Sequence, residues 1–222
     1  MTEERATKIL TILRATFAMP EWTQEKLDPF ETLVETIISQ NTTDRNTARA
    51  FECLSKRFEI TPEALAKAEI SDVEGHIKVA GLYKNKAKAI SEISKALVKK
   101  FHGELAPILA LSFEDARKAL MQFPGVGPKT ADVVLLFSAK QPTIPVDTHV
   151  NRVAKRLGFA PMNGDYEAVR DSLQQLYDSS DYLAVHLLLI AHGRKTCRAR
   201  HPLCDVCPVN AYCPTEGNGD KT

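Results

Sequence analysis

The sequence predicts an all-α protein on three observations. Apolar residues recur at helical spacing, helix-start signals repeat along the chain, and alternating strand patterns with hairpin dipeptides are scarce. Residues 4–17 carry Ile9, Leu10, Ile12, Leu13 and Phe17 near helical spacing. Asp28-Pro29-Phe30-Glu31 then announces a second helix, with Asp28 as N-cap, Pro29 at the first position, where a missing N–H costs nothing, and Glu31 at the third. Thr61-Pro62, Ser71-Asp72-Val73-Glu74 and Ser112-Phe113-Glu114-Asp115 each place a capping oxygen before an amphipathic segment. Next, a helical segment meets the two-glycine turn Phe123-Pro124-Gly125-Val126-Gly127 and another helix begins at Pro128, which makes a helix, hairpin, helix. Asp147 directly precedes the amphipathic run Val150, Val153, Ala154, Leu157 and reads as an N-cap. The polar tail 215–222 reads as frayed, and no repeat of fixed period is present.

With 222 residues, 44% hydrophobic and 26% charged, the chain can bury one good core or two modest ones, which excludes disorder. Its start has no apolar signal-peptide core. The longest apolar stretch, Leu183 to Ala191, contains His186 and is too short to span a bilayer, so a soluble, intracellular and not secreted protein is expected. A net charge of +1 conceals local asymmetry: between Asp181 and Asp205 there is no acidic residue, while Arg194, Lys195, Arg198 and Arg200 crowd around Cys197. That points to a polyanionic partner. Lys84, Lys86 and Lys88 form a second basic group that reads as a solvated helix face.

Four of the five cysteines, Cys197, Cys204, Cys207 and Cys213, stand in a Cys-x6-Cys-x2-Cys-x5-Cys ladder. Deprotonated sulfur is a soft ligand, so the ladder fits a tetrahedral zinc or a 4Fe-4S cubane, and spacing alone does not choose. Two disulfides are the third reading, disfavoured because nothing else in the chain looks secreted. Cys53 reads as a core thiol. At the hairpin, glycines let the backbone turn and a ligand approach, and the amides at the following helix start favour an anion such as a DNA phosphate. Pro-Gly-x-Gly can equally be a plain loop between helices. A Walker-type loop is excluded, since Lys129 follows Pro128 and no strand precedes the turn. Just inside a helix N-terminus, Lys129 sits in a positive potential that favours its neutral amine, a nucleophile able to form a Schiff base with an aldehydic carbon. The plainer role is phosphate pairing. His149 and His192 read as hydrogen-bonding or packing residues, since no metal spacing joins them.

Taken together, Phe-Pro-Gly-Val-Gly-x-Lys-Thr-Ala, Val146-Asp147-Thr148-His149 and the cysteine ladder resemble the endonuclease III family. So do Ser39-Gln40-Asn41-Thr42-Thr43-Asp44, Gly81-Leu82-Tyr83 and His192-Gly193-Arg194, so the resemblance covers nearly the whole chain. It implies a two-lobed helix-hairpin-helix DNA glycosylase fold: a six-helix domain over 24–134, with its hairpin motif over about 115–133, and an iron-sulfur cluster domain from 1–23 and 135–222. It further implies a 4Fe-4S cluster on the loop 197–213 rather than zinc, double-stranded DNA bearing a damaged base or abasic site as partner, a monomer, and a cytoplasmic, nucleoid-associated location.

The activity implied is removal of an oxidised pyrimidine followed by β-elimination through a lysine Schiff base. Carried over, the catalytic residues fall on Lys129 and Asp147. Phosphate contacts fall on Gly125, Val126, Gly127 and Thr130, with Arg194, Arg198 and Arg200 beside the cluster. The residues that fill the gap left by a flipped base fall on Leu82 and on Asn41 or Gln40. The family commonly has Gln at the middle of Ser-x-Gln-x-x-Asp, where this chain has Asn41, shorter by one methylene. Alternatives are a glycosylase for mismatched or methylated bases, and a non-catalytic DNA-binding module with a structural zinc.

Overall fold

A computed structural model describes residues 2–21 and 28–215. Its helices start where the capping chemistry allows. Asp28 Oδ1 accepts the amides of Phe30 and Glu31 at 2.9 Å each, and α2 (Pro29–Ser39) follows; α1 (Glu3–Thr16) precedes it. Thr43, Thr61 and Ser112 cap α3 (Asp44–Arg57), α4 (Pro62–Lys67) and α8 (Phe113–Leu120) in the same way. The fifth helix, α5 (Ile70–Ile77), departs from expectation by starting before Ser71. Asp72 is a first-turn residue there, and its carboxylate pairs with Arg57 at 2.8 Å instead of capping. Then come α6 (Tyr83–Phe101), the single turn α7 (Ala106–Leu109), α9 (Pro128–Ser138), α10 (Thr148–Arg156), α11 (Tyr166–Gln174) and α12 (Tyr182–Lys195). The described residues contain no strand.

The chain divides into two units. One spans Lys26–Gln141 and holds α2 to α9, of which six have eight residues or more and α4 and α7 are shorter. Because α9 runs unbroken through Ser138, the units part at 141–142 rather than at 134–135; the junction expected at 23–24 lies outside the described residues. Leu33, Ile38, Leu54, Ile90 and Leu97 form its core, with α6 packed against α2, α4 and α5. Arg117 Nε pairs at 2.8 Å with the fully buried carboxylate of Asp132, tying α8 to α9 on either side of the hairpin. A buried pair of this kind fixes geometry, since removing either partner strands the other charge.

Two expectations fail in this unit. Cys53 is exposed, because the buried stripe of α3 runs through Thr47, Ala50 and Leu54. Lys86 is buried at 3% exposure, because the inward stripe of α6 passes through Lys86, Ile90, Ser94 and Leu97, while Lys84 and Lys88 are solvated.

The other unit joins Met1–Glu25 to Pro142–Thr222 around Ile9, Leu13, Val150, Val153, Leu173 and Leu188. Helices α10 and α12 pack closely where Gly193 lacks a side chain. A Cβ there would stand 3.0 Å from His149 Cβ and 3.1 Å from Val153 Cγ2. Most of the polar tail, 216–222, lies outside the described residues. Among those described, no helix is long and apolar enough to cross a membrane.

Candidate active site and metal centre

Phe123 and Val126 bury their side chains beneath the hairpin, and the Val126 amide donates to Phe123 O at 3.2 Å, which closes the turn. Gly125 has φ +76°, a left-handed conformation that disfavours a side chain. Gly127 differs: its φ of −96° suits any residue, and a Cβ there would meet nothing within 4 Å. Among the described residues nothing requires that second glycine, and the open space beside it would admit a phosphate backbone. Gly125→Ala should therefore lower stability by about 1 kcal/mol or more. Gly127→Ala should leave the melting temperature unchanged and weaken duplex binding, which thermal melts and titrations on the two variants would separate.

Behind Gly127, α9 begins with Pro128, and Lys129 stands half-buried in its first turn. The Ala131 amide is the first to close back on the helix, reaching Gly127 O at 3.0 Å, so the amides before it point out of the N-terminus. Of the expected phosphate contacts, the Val126 amide is engaged within the turn. The Thr130 hydroxyl also faces inward: at 4% exposure, its Oγ1 accepts from Gln40 Nε2 at 3.2 Å. Gln40 Nε2 donates further to Gly125 O at 2.9 Å, so this side chain latches the end of α2 onto the hairpin. Next to it, Asn41 is exposed with φ +53°. Leu82 at the start of α6 is 58% exposed with φ +47°.

In the other unit, the buried residues Thr143, Ile144, Pro145 and Val146 lead to Asp147. Asp147 Oδ1 accepts the Val150 amide at 2.7 Å and caps α10, as the sequence anticipates. His186, to which sequence reasoning gave no role, bonds Pro145 O through Nδ1 at 2.8 Å and so holds the segment that carries Asp147.

All four ladder cysteines border one cavity, together with Arg156, His192 and Leu203. Burial, reinforced by the neighbouring thiols, pushes Cys204 and Cys207 upward, so thiolates here need a compensating cation. Among the described residues, no three His, Cys, Asp or Glu side chains converge on one metal position. Four soft sulfur donors around one cavity fit the ligand set of an iron-sulfur cluster. Arg156 supports the loop, with Nη1 3.7 Å from Cys197 Sγ and donating to Arg198 O at 2.6 Å, and Nη2 donating to Ala199 O at 3.1 Å. One turn earlier, Arg152 donates to Cys197 O at 3.1 Å and Gly193 O at 2.9 Å. Sequence reasoning missed both; their signal is the i, i+4 spacing after Asp147. Burial lowers His192 to about 4, so the ring is neutral, with Nε2 3.8 Å from Cys207 Sγ. Arg194, Arg198 and Arg200 are all exposed beside the loop.

Residues 34–179 match the model of the HhH-GPD superfamily of base excision DNA repair proteins, and residues 197–213 match that of the iron-sulfur binding domain of endonuclease III. Fold, hairpin and cysteine loop thus define an iron-sulfur base-excision repair protein. An endonuclease III of Sulfolobus acidocaldarius is 38% identical over 185 residues, 83% of this chain and 81% of that protein. Another, of Escherichia coli (strain K12), is 35% identical over 215 residues, 96% of each. A solved structure of a trapped endonuclease III–DNA covalent intermediate superposes with a TM-score of 0.85 at 30% identity, covering 96% of both chains. The chain belongs to the endonuclease III family. It is a DNA glycosylase and abasic-site lyase that binds DNA, and its cofactor is a 4Fe-4S cluster, in keeping with the iron-sulfur binding domain matched at 197–213.

Proposed function

We propose that the chain acts as a monomer on nucleoid DNA, removing an oxidised pyrimidine and nicking the abasic site through Lys129. The observation that carries this reading is the position of Lys129 in the first turn of α9, two residues behind Gly127. A helix start that grips a phosphate thereby presents an amine to the adjoining sugar.

A damaged base must leave the stack before its sugar can be attacked. Asn41 and Leu82 fill the space it vacates, since the Gln40 amide is held by Gly125 and Thr130 while Asn41 is exposed. The neutral Lys129 amine then forms a bond to C1′ as the glycosidic bond breaks and the base departs with the electron pair, to be protonated. Asp147 takes the proton lost by the attacking nitrogen and stabilises the positive sugar. The C1′–O4′ bond then breaks, O4′ taking up a proton, and leaves an imine at C1′ beside which C2′ is acidic; loss of the C2′ proton breaks the C3′–O bond and releases the 3′ phosphate. Water finally hydrolyses the imine and frees Lys129. Held by the four cysteines, the cluster supplies structure and electrostatics, presenting Arg194, Arg198 and Arg200 to the phosphates.

Duplexes carrying thymine glycol, a G·T mismatch or no lesion test the substrate. Base release from thymine glycol at a rate at least tenfold above that from the mismatch is expected. Release from the mismatch alone would replace the oxidised pyrimidine with a mismatched one.

A further inference from the structure

Lys86 is a cation buried inside the larger unit, where an aliphatic side chain would pack at lower cost. Its surroundings explain its presence. Nζ donates to Ile38 O at 2.8 Å and to Ala80 O at 2.9 Å. Ile38 lies in the last turn of α2, three residues before Asn41, and Ala80 ends the short 3-10 turn Lys78–Ala80, two residues before Leu82. A cation suits both places, because carbonyls at helix ends lack intrahelical partners and carry partial negative charge. One ammonium thus joins the roots of two exposed tips whose apical residues, Asn41 and Leu82, both hold the left-handed conformation, which asparagine tolerates and leucine resists. Strained, exposed residues persist where the surrounding structure over-determines them. Gln40 adds a second tie from the first tip to the hairpin.

We propose that Lys86 is a positioning residue that fixes the spacing between the tips at Asn41 and Leu82, so that both enter the duplex together. This rests on the reading above, in which those residues fill the gap left by the flipped base. Lys86 itself touches no DNA. It acts through two backbone carbonyls, so its effect should be confined to substrates in which a stacked partner strand has to be opened.

The test compares wild type, Lys86→Met and Lys86→Gln on abasic DNA, duplex and single-stranded, with 2-aminopurine opposite the lesion in the duplex. Lys86→Met is expected to lower the ratio of duplex to single-strand kcat/KM about tenfold or more, and to remove the 2-aminopurine fluorescence rise that accompanies unstacking. Lys86→Gln, which can keep one of the two bonds, should fall between; it carries the test if Lys86→Met does not melt cooperatively. Starting from the double variant Asn41→Ala/Leu82→Ala, adding Lys86→Met should change neither readout further. Equal losses on duplex and single strand, no loss, or a fully additive loss in the tipless background would each overturn the proposal. If Asn41→Ala/Leu82→Ala leaves the fluorescence rise intact, the tip assignment fails and the proposal falls with it. If that pair abolishes the rise but Lys86→Met does not, the role of Lys86 alone fails.

Discussion

Replacing Lys129 by alanine should eliminate the adduct that borohydride traps on both abasic and thymine glycol duplexes, and should lower strand nicking by about 10³-fold or more. No other group in the proposed sequence can form an imine and so open the β-elimination path. The variant should keep its melting temperature to within a few degrees, because alanine is the better helix former and Lys129 stands only half-buried in the first turn of α9. The visible absorbance of the cluster should be unaltered, since its cysteines belong to a different unit. Duplex affinity should fall only modestly, by the contribution of one phosphate-range cation. A persistent adduct in this variant would place the nucleophile elsewhere in the chain. Loss of the adduct together with loss of folding would show in the melt and would call for Lys129→Gln.

What the sequence discloses about this molecule follows the range of the interactions involved. Caps such as Asp28, Thr61, Ser112 and Asp147 act over two to four residues, so they are readable from spacing, and each accepts the amides its position predicts. The hairpin is local in the same sense, and so is the ladder of cysteines along one loop. Lys86 shows where locality ends. Its neighbours Lys84 and Lys88 make it look like part of a solvated face, and only Ile38, forty-eight residues away, reveals that it is buried and bonded. Arg156 likewise reaches carbonyls more than forty residues distant to hold the cluster loop. Cys53 misleads because its type is usually buried, whereas the α3 stripe that packs runs through Thr47, Ala50 and Leu54. Gly127 runs the other way: its type suggests a strained backbone, and the structure removes that explanation, which is why close approach of a phosphate is proposed for it.

Asp147 carries two roles at one position, and a pair of substitutions separates them. As an N-cap its Oδ1 accepts the Val150 amide at 2.7 Å, a bond that an asparagine side-chain oxygen can make equally well. As an acid–base group it needs a carboxylate, which asparagine lacks. Asp147→Asn should therefore melt within a few degrees of wild type while base removal and nicking fall by about 10²- to 10⁴-fold. Asp147→Ala should lose the same activity and in addition about 1 kcal/mol of stability, because the orphan amide of α10 is left unpaired. Single-turnover rates under saturating enzyme, measured beside thermal melts on both variants, distinguish the outcomes. Near-wild-type turnover by Asp147→Asn would reduce the residue to its capping role and leave proton transfer to solvent. Retained trapping of a preformed abasic site, with loss of base removal alone, would confine Asp147 to the glycosylase half of the sequence. The second outcome follows if its main contribution is to stabilise the positive sugar as the glycosidic bond breaks, since a preformed abasic site presents an aldehyde that Lys129 can attack without that help.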